Sequence, residues 1–376
     1  MVPADRRPAG WTVTTGTVIV TPTRPVLLGG YAARCGPSTG VLDALEVNLL
    51  QIQDRFGGRL AWVSIDSVAV TAPLRAAVAD AICRLIDCEP ADVVISASHT
   101  HCAPSGWVGA ILPALPAPVE PDLLAELHAR ILDMPLRREA GELSWFETTV
   151  DRVAANRNDP EGPCDPRASG LVVHAAGDAT PLALMFEFGC HPTVLGPQDQ
   201  VLSADWVGRA RDGIRRRFGG LPVVFAQGAA GDVSTRFRRR GRGAPELERL
   251  GALVAGPVVA AALSPSPISG DRVSRRRHRL PVPSRWVAGS TLWLTVTELS
   301  IGDRQWLTMP AEVVASLGLR LADQHPGLRL ITCTDDYHGY LADETGHRRG
   351  WYEAMSSPLT WPATADLFDL LEGVMA

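Results

Sequence analysis

The sequence predicts an α/β fold: a mixed β-sheet core with flanking helices. Three observations carry this reading. Short apolar runs recur along the whole chain, segments of helical periodicity alternate with them, and some neighbouring runs lie close enough to pair as antiparallel hairpins. No internal repeat or low-complexity linker interrupts the pattern, so residues 1–376 are read as a single domain.

Residues 12–20 open the series with valine, isoleucine and threonine, the β-branched types that suit a pleated surface. A strand is expected at 61–70, followed by a helix at 74–86 with apolar residues at helical spacing. The apolar run 93–98 and a helix at 122–132 come next. Strands at 143–150, 171–174 and 183–189 follow with short spacers, which favours antiparallel pairing. A helix at 206–218 leads to a strand at 223–227, and a helix is read at 247–263. The last part holds strands at 292–300 and 328–332 and helices at 313–324 and 365–375. Two basic stretches stand apart from this pattern. Residues 236–243 are expected to form a solvated, mobile loop, and 275–279 a solvated run; either could make a basic rim for an anionic substrate.

Composition narrows the functional classes. A chain of 376 residues, 46% hydrophobic and 20% charged, can bury a sizeable core. Its net charge of −5 gives no general attraction to nucleic acid or to anionic membranes. No run approaches the roughly 20 apolar residues of a membrane span, so membrane insertion is not expected. Met1–Trp11 lacks an apolar stretch after its arginines, which argues against a signal peptide. The seven cysteines are scattered without a Cys-x-x-Cys pair, as expected for reduced thiols in the cytoplasm. The chain contains no lysine, which excludes Schiff-base catalysis, a P-loop lysine and a carbamylated-lysine metal bridge.

The chemistry concentrates at the ends of the apolar runs. His99 and His101 follow the run 93–98, and period-two alternation would turn both imidazoles to one side, a usual start for a zinc site. His191, held extended by Pro192, follows 183–189. The loop Gly228-Ala229-Ala230-Gly231-Asp232-Val233-Ser234 follows 223–227, where glycines permit positive φ or close backbone approach. Glu312 follows Met309-Pro310-Ala311 at the expected start of the 313–324 helix, where the helix dipole alone would also explain it. The glycine loop lacks both a G-x-G-x-x-G pattern and a lysine, which weakens a phosphate-binding reading.

In order along the chain, Gly30-Tyr31, Ser98-His99-Thr100-His101, Asn156-Arg157, His191-Pro192-Thr193, residues 227–234, Pro310-Ala311-Glu312 and Asp336-Tyr337-His338-Gly339-Tyr340 resemble the neutral/alkaline ceramidase family, from about residue 15 to about residue 358. The resemblance implies the fold of that family's catalytic domain, without its C-terminal immunoglobulin-like domain. It implies one zinc ion (Zn2+) held by His99, His191, Glu312 and Tyr340. In the family the ligand tyrosine precedes a second active-site tyrosine in a Tyr-Glu-Ala context. Tyr352-Glu353-Ala354 stands at that offset from Tyr340, and Tyr337 has no such partner. His101, Arg157 and Tyr352 match residues that handle the substrate amide, and Ser234 matches a serine beside the metal.

These residue types suit amide hydrolysis by zinc-bound water. Tyr352 or Arg157 would stabilise the oxyanion and His101 would pass a proton to the leaving amine. Ala229-Ala230 and Thr235-Arg236 depart from the family's loop around the serine. The expected substrate is therefore a small N-acyl amide, an intracellular or specialised metabolite rather than ceramide. An esterase or N-acyl-lipid hydrolase on the same site, a catalytically silent zinc scaffold or binding module, and a nucleotide enzyme built on the glycine loop are the alternatives. A metallo-β-lactamase is disfavoured because Ala103 and Pro104 stand where Asp and His are required. Oligomeric state is not legible in the sequence.

Overall fold

The computed structural model describes residues 10–112, 117–178 and 180–375; most of the segment examined for a signal peptide, residues 1–9, lies outside them. The core is a nine-stranded mixed sheet. Its spatial order runs Val223–Gln227, Pro181–Phe188, Arg167–Ala175, Leu136–Thr149, Trp11–Ile19, Glu46–Gln53, Arg59–Ile65 and Val93–Ala97, with Ser266–Pro267 pairing alongside Leu136–Thr149. The pairs at the two ends, Val223–Gln227 with Pro181–Phe188 and Arg59–Ile65 with Val93–Ala97, are parallel, and the pairs between them are antiparallel. A second sheet, in the order Val273–Pro283, Thr291–Ile301, Arg304–Thr308, Leu328–Ile331, stacks on the first.

Side-chain alternation sorts these elements into layers. One face of the large sheet, with Val47, Leu49, Val63 and Ile95, buries against the helices Ala72–Ile86 and Pro121–Leu132. Farther along that face Phe186 and Phe225 meet Asp205–Phe218 and Ala244–Ala262. The opposite face, with Leu50, Trp62 and Val94, packs on Leu299, Ile301 and Trp306 of the second sheet. Trp306 sits edge-on to both Trp62 and Trp145, at 5.6 Å between ring centroids in each case. The far face of the second sheet is covered by Ala315–Gln324 and Trp361–Met375 through Leu317, Leu367 and Phe368. The result is a helix–sheet–sheet–helix stack.

One short segment decides where the site lies. Past Leu328–Ile331 the chain continues as Thr332–Asp335 between the two end strands of the large sheet. On one side Ala97 N–H donates to Cys333 O at 3.1 Å and Asp335 N–H to Ile95 O at 2.9 Å; on the other Thr332 N–H donates to Gln227 O at 2.8 Å. The carboxyl ends of Val93–Ala97 and Val223–Gln227 are thereby drawn to one place, with Pro181–Phe188 alongside. Among the described residues no helix is long and apolar enough to cross a membrane.

Two of the long strands lie where the sequence reading placed none. Glu46–Gln53 is central and buried on both faces, including Asn48 and Gln51, so it shows no polar alternation. The arginine run falls within Val273–Pro283, an edge strand that buries Val273, Leu280 and Val282 and turns its arginines outward.

Candidate metal centre and catalytic pocket

The strand ends at Ala97, and His99 follows in the left-handed region at φ 68°. The two histidines therefore converge through a turn rather than through strand alternation. This is a correction to the expected geometry. Their rings lie 5.1 Å apart at 83°. Holding a non-glycine residue there costs on the order of 1–3 kcal/mol, and the His99 N–H bond to Ser67 O at 2.9 Å helps fix it.

His99, His101 and His191 form a cluster with one ring nitrogen each within 4.8 Å of the others, an arrangement able to hold a metal ion. Their surroundings differ. His99 Nδ1 pairs with Val68 O at 2.6 Å, and His191 Nδ1 with Ala230 O at 2.7 Å. Each carbonyl accepts the Nδ1 proton, so that Nε2 is the ring atom turned towards Glu312. Among the described residues His101 has no hydrogen-bond partner on either ring nitrogen; its ring packs edge-on against Tyr31 at 4.7 Å.

Glu312 lies in a two-residue strand, Glu312–Val313, paired in parallel with Tyr340–Leu341, and the helix begins only at Ala315. The helix-dipole explanation therefore does not apply. Glu312 Oε2 stands 3.2 Å from His99 Nε2 and 2.9 Å from His191 Nε2, and among the described residues these three buried atoms have no hydrogen-bond partner. Three metal-ligating atoms so converged can hold a cation. Their spacing approaches the ~3.3 Å between neighbouring donors of a tetrahedral zinc at its usual bond lengths, so the residues fit the implied metal. Burial works against a charged Glu312, but His99 and His191 hold its carboxyl well below the usual range. Burial, then the neighbouring His99 and His191, push His101 well below its ordinary value and keep it neutral.

The two tyrosines of the 336–340 motif take different places. Tyr337 donates its hydroxyl to Glu312 Oε1 at 2.5 Å. Tyr340 lies opposite Glu312 in register and shares the pocket wall with Tyr337, His99 and Arg157. Burial, then Glu312, raise Tyr340 well above an ordinary phenol despite Arg157. Tyr352 packs edge-on against Tyr340 at 5.5 Å and is 47% exposed, which puts it at the mouth. Ser234 forms a backbone bridge with His191, and its Oγ accepts the Arg236 N–H at 3.3 Å. The glycine loop serves packing: Gly231 donates to Val313 O at 2.8 Å, and a Cβ there would meet Val313 C at 2.9 Å. Its Ala230 carbonyl anchors His191, so the loop supports the histidine cluster.

Arg157 reaches the pocket from the side. Its guanidinium stacks near Tyr340 and Tyr352, with Cζ 5.7 and 5.4 Å from their centroids, and its buried Nη2 has no hydrogen-bond partner among the described residues. Sequence reasoning missed what holds it. Glu353 accepts Arg157 Nε at 2.6 Å on one oxygen and Asn158 Nδ2 at 2.9 Å on the other. Its signal was present in the Tyr-Glu-Ala context, where only the tyrosine was given a role. The pocket encloses about 170 Å³. It shares Gly30, Tyr31 and Ile111 with a cleft of about 230 Å³ whose walls include Leu28, Val108 and Pro118.

The sequence matches no protein-family model and no curated relative. The structure is similar to the crystal structure of neutral ceramidase from Pseudomonas aeruginosa, with a TM-score of 0.79 at 16% identity over 96% of this chain and 73% of that one. It matches a structure described as ceramidase complexed with C2 equally well, at TM-score 0.79 and 16% identity over 96% of this chain and 74% of that one. The mixed sheet, the flanking helices and the converging strand ends are those of a neutral ceramidase-like catalytic domain, and that is the fold of this chain.

Proposed function

We propose that this protein is a zinc-dependent amidohydrolase that cleaves the N-acyl amide bond of a small molecule. One observation carries the reading: three buried atoms, His99 Nε2, His191 Nε2 and Glu312 Oε2, converge without a hydrogen-bond partner among the described residues, beside the likewise unpartnered Nη2 of Arg157. Zinc held there, with Tyr340 as the fourth ligand, would supply Lewis acidity, polarising a carbonyl and acidifying a water molecule.

The remaining work falls to the chain's own groups. Arg157 Nη2 donates to the carbonyl oxygen as negative charge develops on it, and the Tyr352 hydroxyl closes the same side from the mouth. His101, neutral at the start, takes a proton from the attacking water and passes it to the leaving nitrogen. A pocket of about 170 Å³ joined to an apolar cleft supports a small acyl compound over a long-chain lipid. A cytoplasmic setting belongs to the same proposal and is supported by the free cysteines, Cys83 and Cys88 among them.

Metal analysis of the purified protein beside His191→Ala and Tyr340→Phe tests this first. About one zinc per chain is expected, lost in His191→Ala and weakened in Tyr340→Phe. Hydrolysis of N-acyl amides should stop on chelation and return with zinc. A protein that takes up no zinc after reconstitution would overturn the mechanism. Bound zinc without turnover of any amide or ester would leave a scaffold.

A further inference from the structure

Directly after Ser234 the chain enters the arginine-rich stretch, and the structure ties it down. Arg238 and Arg239 N–H donate to Thr235 O at 2.9 and 2.8 Å, and Arg240 N–H donates to Glu246 Oε1 at 2.8 Å. Arg249 holds the Arg238 carbonyl at 3.0 Å. The guanidiniums are therefore presented in a set place.

That place is the loop 193–196, which starts two residues after His191. Arg239 Nη1 donates to Thr193 O at 3.0 Å. Arg242 Nη1 lies against Gly196, so close that a Cβ there would overlap it. From the inner side Arg34 Nη2 donates to Gly196 O at 3.3 Å, and its Nη1 donates to His101 O at 2.5 Å. Tyr31 closes the gap with its hydroxyl on Leu195 O at 2.8 Å and its ring on His101. Among the described residues no carboxylate lies within ion-pair distance of Arg34, Arg236, Arg239 or Arg242. The two acids facing this loop accept its backbone N–H groups rather than a guanidinium. Asp199 accepts Gly196 N–H at 2.7 Å, and Asp205 accepts the N–H groups of Val194, Leu195 and Trp206. Burial, then Arg242, lower Arg239 from its ordinary value, and Tyr31 and Asp205 offset this only in part.

We propose that this arginine rim binds an anionic group carried by the leaving amine of the substrate, which makes the substrate class N-acyl amino acids and their phosphorylated counterparts. The inference rests on the amidohydrolase reading. It assigns the charge to the amine side because His101, which serves the leaving nitrogen, packs on the Tyr31 ring whose hydroxyl meets the arginine-lined loop. The cleft past Leu28, Val108 and Ile111, which Arg34 borders on one side, is left for the acyl chain. Guanidinium pairs with carboxylate and phosphate alike, so both head groups are tested.

Binding is measured by calorimetry on the full zinc-loaded chain, using ketomethylene analogues in which CH2 replaces the amide N–H. The set comprises the analogues of N-octanoylglycine, N-octanoyl-phosphoethanolamine, neutral N-octanoylethylamine, and an ethylamide bearing its carboxylate on the acyl end. Amine-side anions should bind roughly tenfold or more tightly than the neutral analogue, and the preference should shrink with added salt. Arg239→Gln/Arg242→Gln should abolish the preference while leaving the neutral analogue's affinity unchanged. The exposed Arg242→Gln alone should remove part of it. Which head group binds better settles carboxylate against phosphate. Equal binding of charged and neutral analogues, a preference for the acyl-end anion, or a preference that survives the double substitution would overturn the proposal. If the anionic analogue is preferred but N-octanoylglycine itself is not cleaved, the amidohydrolase reading fails and the rim stands. If neutral and anionic amides are cleaved equally well, the rim fails alone.

Discussion

Glu353→Gln separates the charge of the Arg157 clamp from its shape. Glu353 is 1% exposed and uses both carboxylate oxygens, one for Arg157 Nε and one for Asn158 Nδ2. Glutamine keeps the volume, removes the charge and converts one acceptor into a donor. Whichever way the new amide lies, one of the two N–H groups then faces another N–H. A hydrogen bond to a charged group contributes roughly 1.5–3 kcal/mol, and a buried donor left unsatisfied costs about as much. After partial relaxation the expected loss is about 2–3 kcal/mol, below the ~3–5 kcal/mol for deleting one member of a buried pair outright. With Nε released, Arg157 Nη2 loses its aim, and kcat/KM for an N-acyl amide should fall roughly 10–100-fold, mostly in kcat. Urea unfolding gives the stability change, steady-state kinetics the catalytic one, and metal analysis shows whether zinc is retained. A variant that is destabilised but keeps kcat/KM within about twofold would refute the reasoning and reduce Glu353 to a structural role.

Other expectations follow from the same geometry. Gly30 has φ 91°, and a Cβ there would stand 2.4 Å from His101 Cγ. Gly30→Ala should displace that ring and lower kcat about 100-fold while zinc content stays unchanged; loss of zinc instead would make His101 a ligand. Burial opposes a charged Glu46, yet Arg211 and Arg215 hold its carboxyl down to about 2 from 4.5. Its folded value lies below its unfolded one, so the contribution is present above pH 4.5 and is lost as pH falls towards 2. A shift of 4.5 − 2 = 2.5 corresponds to about 3 kcal/mol, so Glu46→Gln should cost up to that at pH 7 and progressively less in acid, by urea titration. A destabilisation that does not change with pH would contradict it. Trp306, fully buried between Trp62 and Trp145, should cost ~3–5 kcal/mol when replaced by alanine. A fall of less than 1 kcal/mol in thermal or urea unfolding would show the two sheets to be loosely packed there.

The ends of strands were more legible in the sequence than the strands between them. Val93–Ala97, Pro181–Phe188 and Val223–Gln227 are short apolar runs followed by conspicuous polar groups, so both the elements and their role as carriers of His99, His191 and the glycine loop could be read directly. Glu46–Gln53 was hidden because Asn48 and Gln51 occupy buried positions, and the Asn48 amide serves Arg215, a partner that composition does not reveal. The edge strand was hidden by its arginines, whose spacing alternates only weakly against Val273, Leu280 and Val282. At the site, the offset between Tyr340 and Tyr352 foreshadowed their ring contact. The hydroxyl of Tyr337 on Glu312 did not follow from spacing, because it depends on the pairing of Glu312–Val313 with Tyr340–Leu341. Period-two reasoning brought His99 and His101 together for the wrong reason, since the left-handed turn at His99 does that work.

The segment Thr332–Asp335 also sets when the protein becomes competent during folding. Asp335 reaches Ile95 across a separation of 240 residues, and until it arrives the end strands Val93–Ala97 and Val223–Gln227 present unpaired edges. Contacts so distant along the chain carry the largest loop-closure entropy and form late. The residues at those strand ends cannot converge before the last third of the chain has docked, so a nascent or truncated chain would carry both histidines and yet hold no assembled centre. The same exposed edges make the incomplete chain prone to pairing with its neighbours. Pulse-labelling hydrogen exchange should accordingly find the amides of Ala97 and Thr332 among the last to gain protection during refolding.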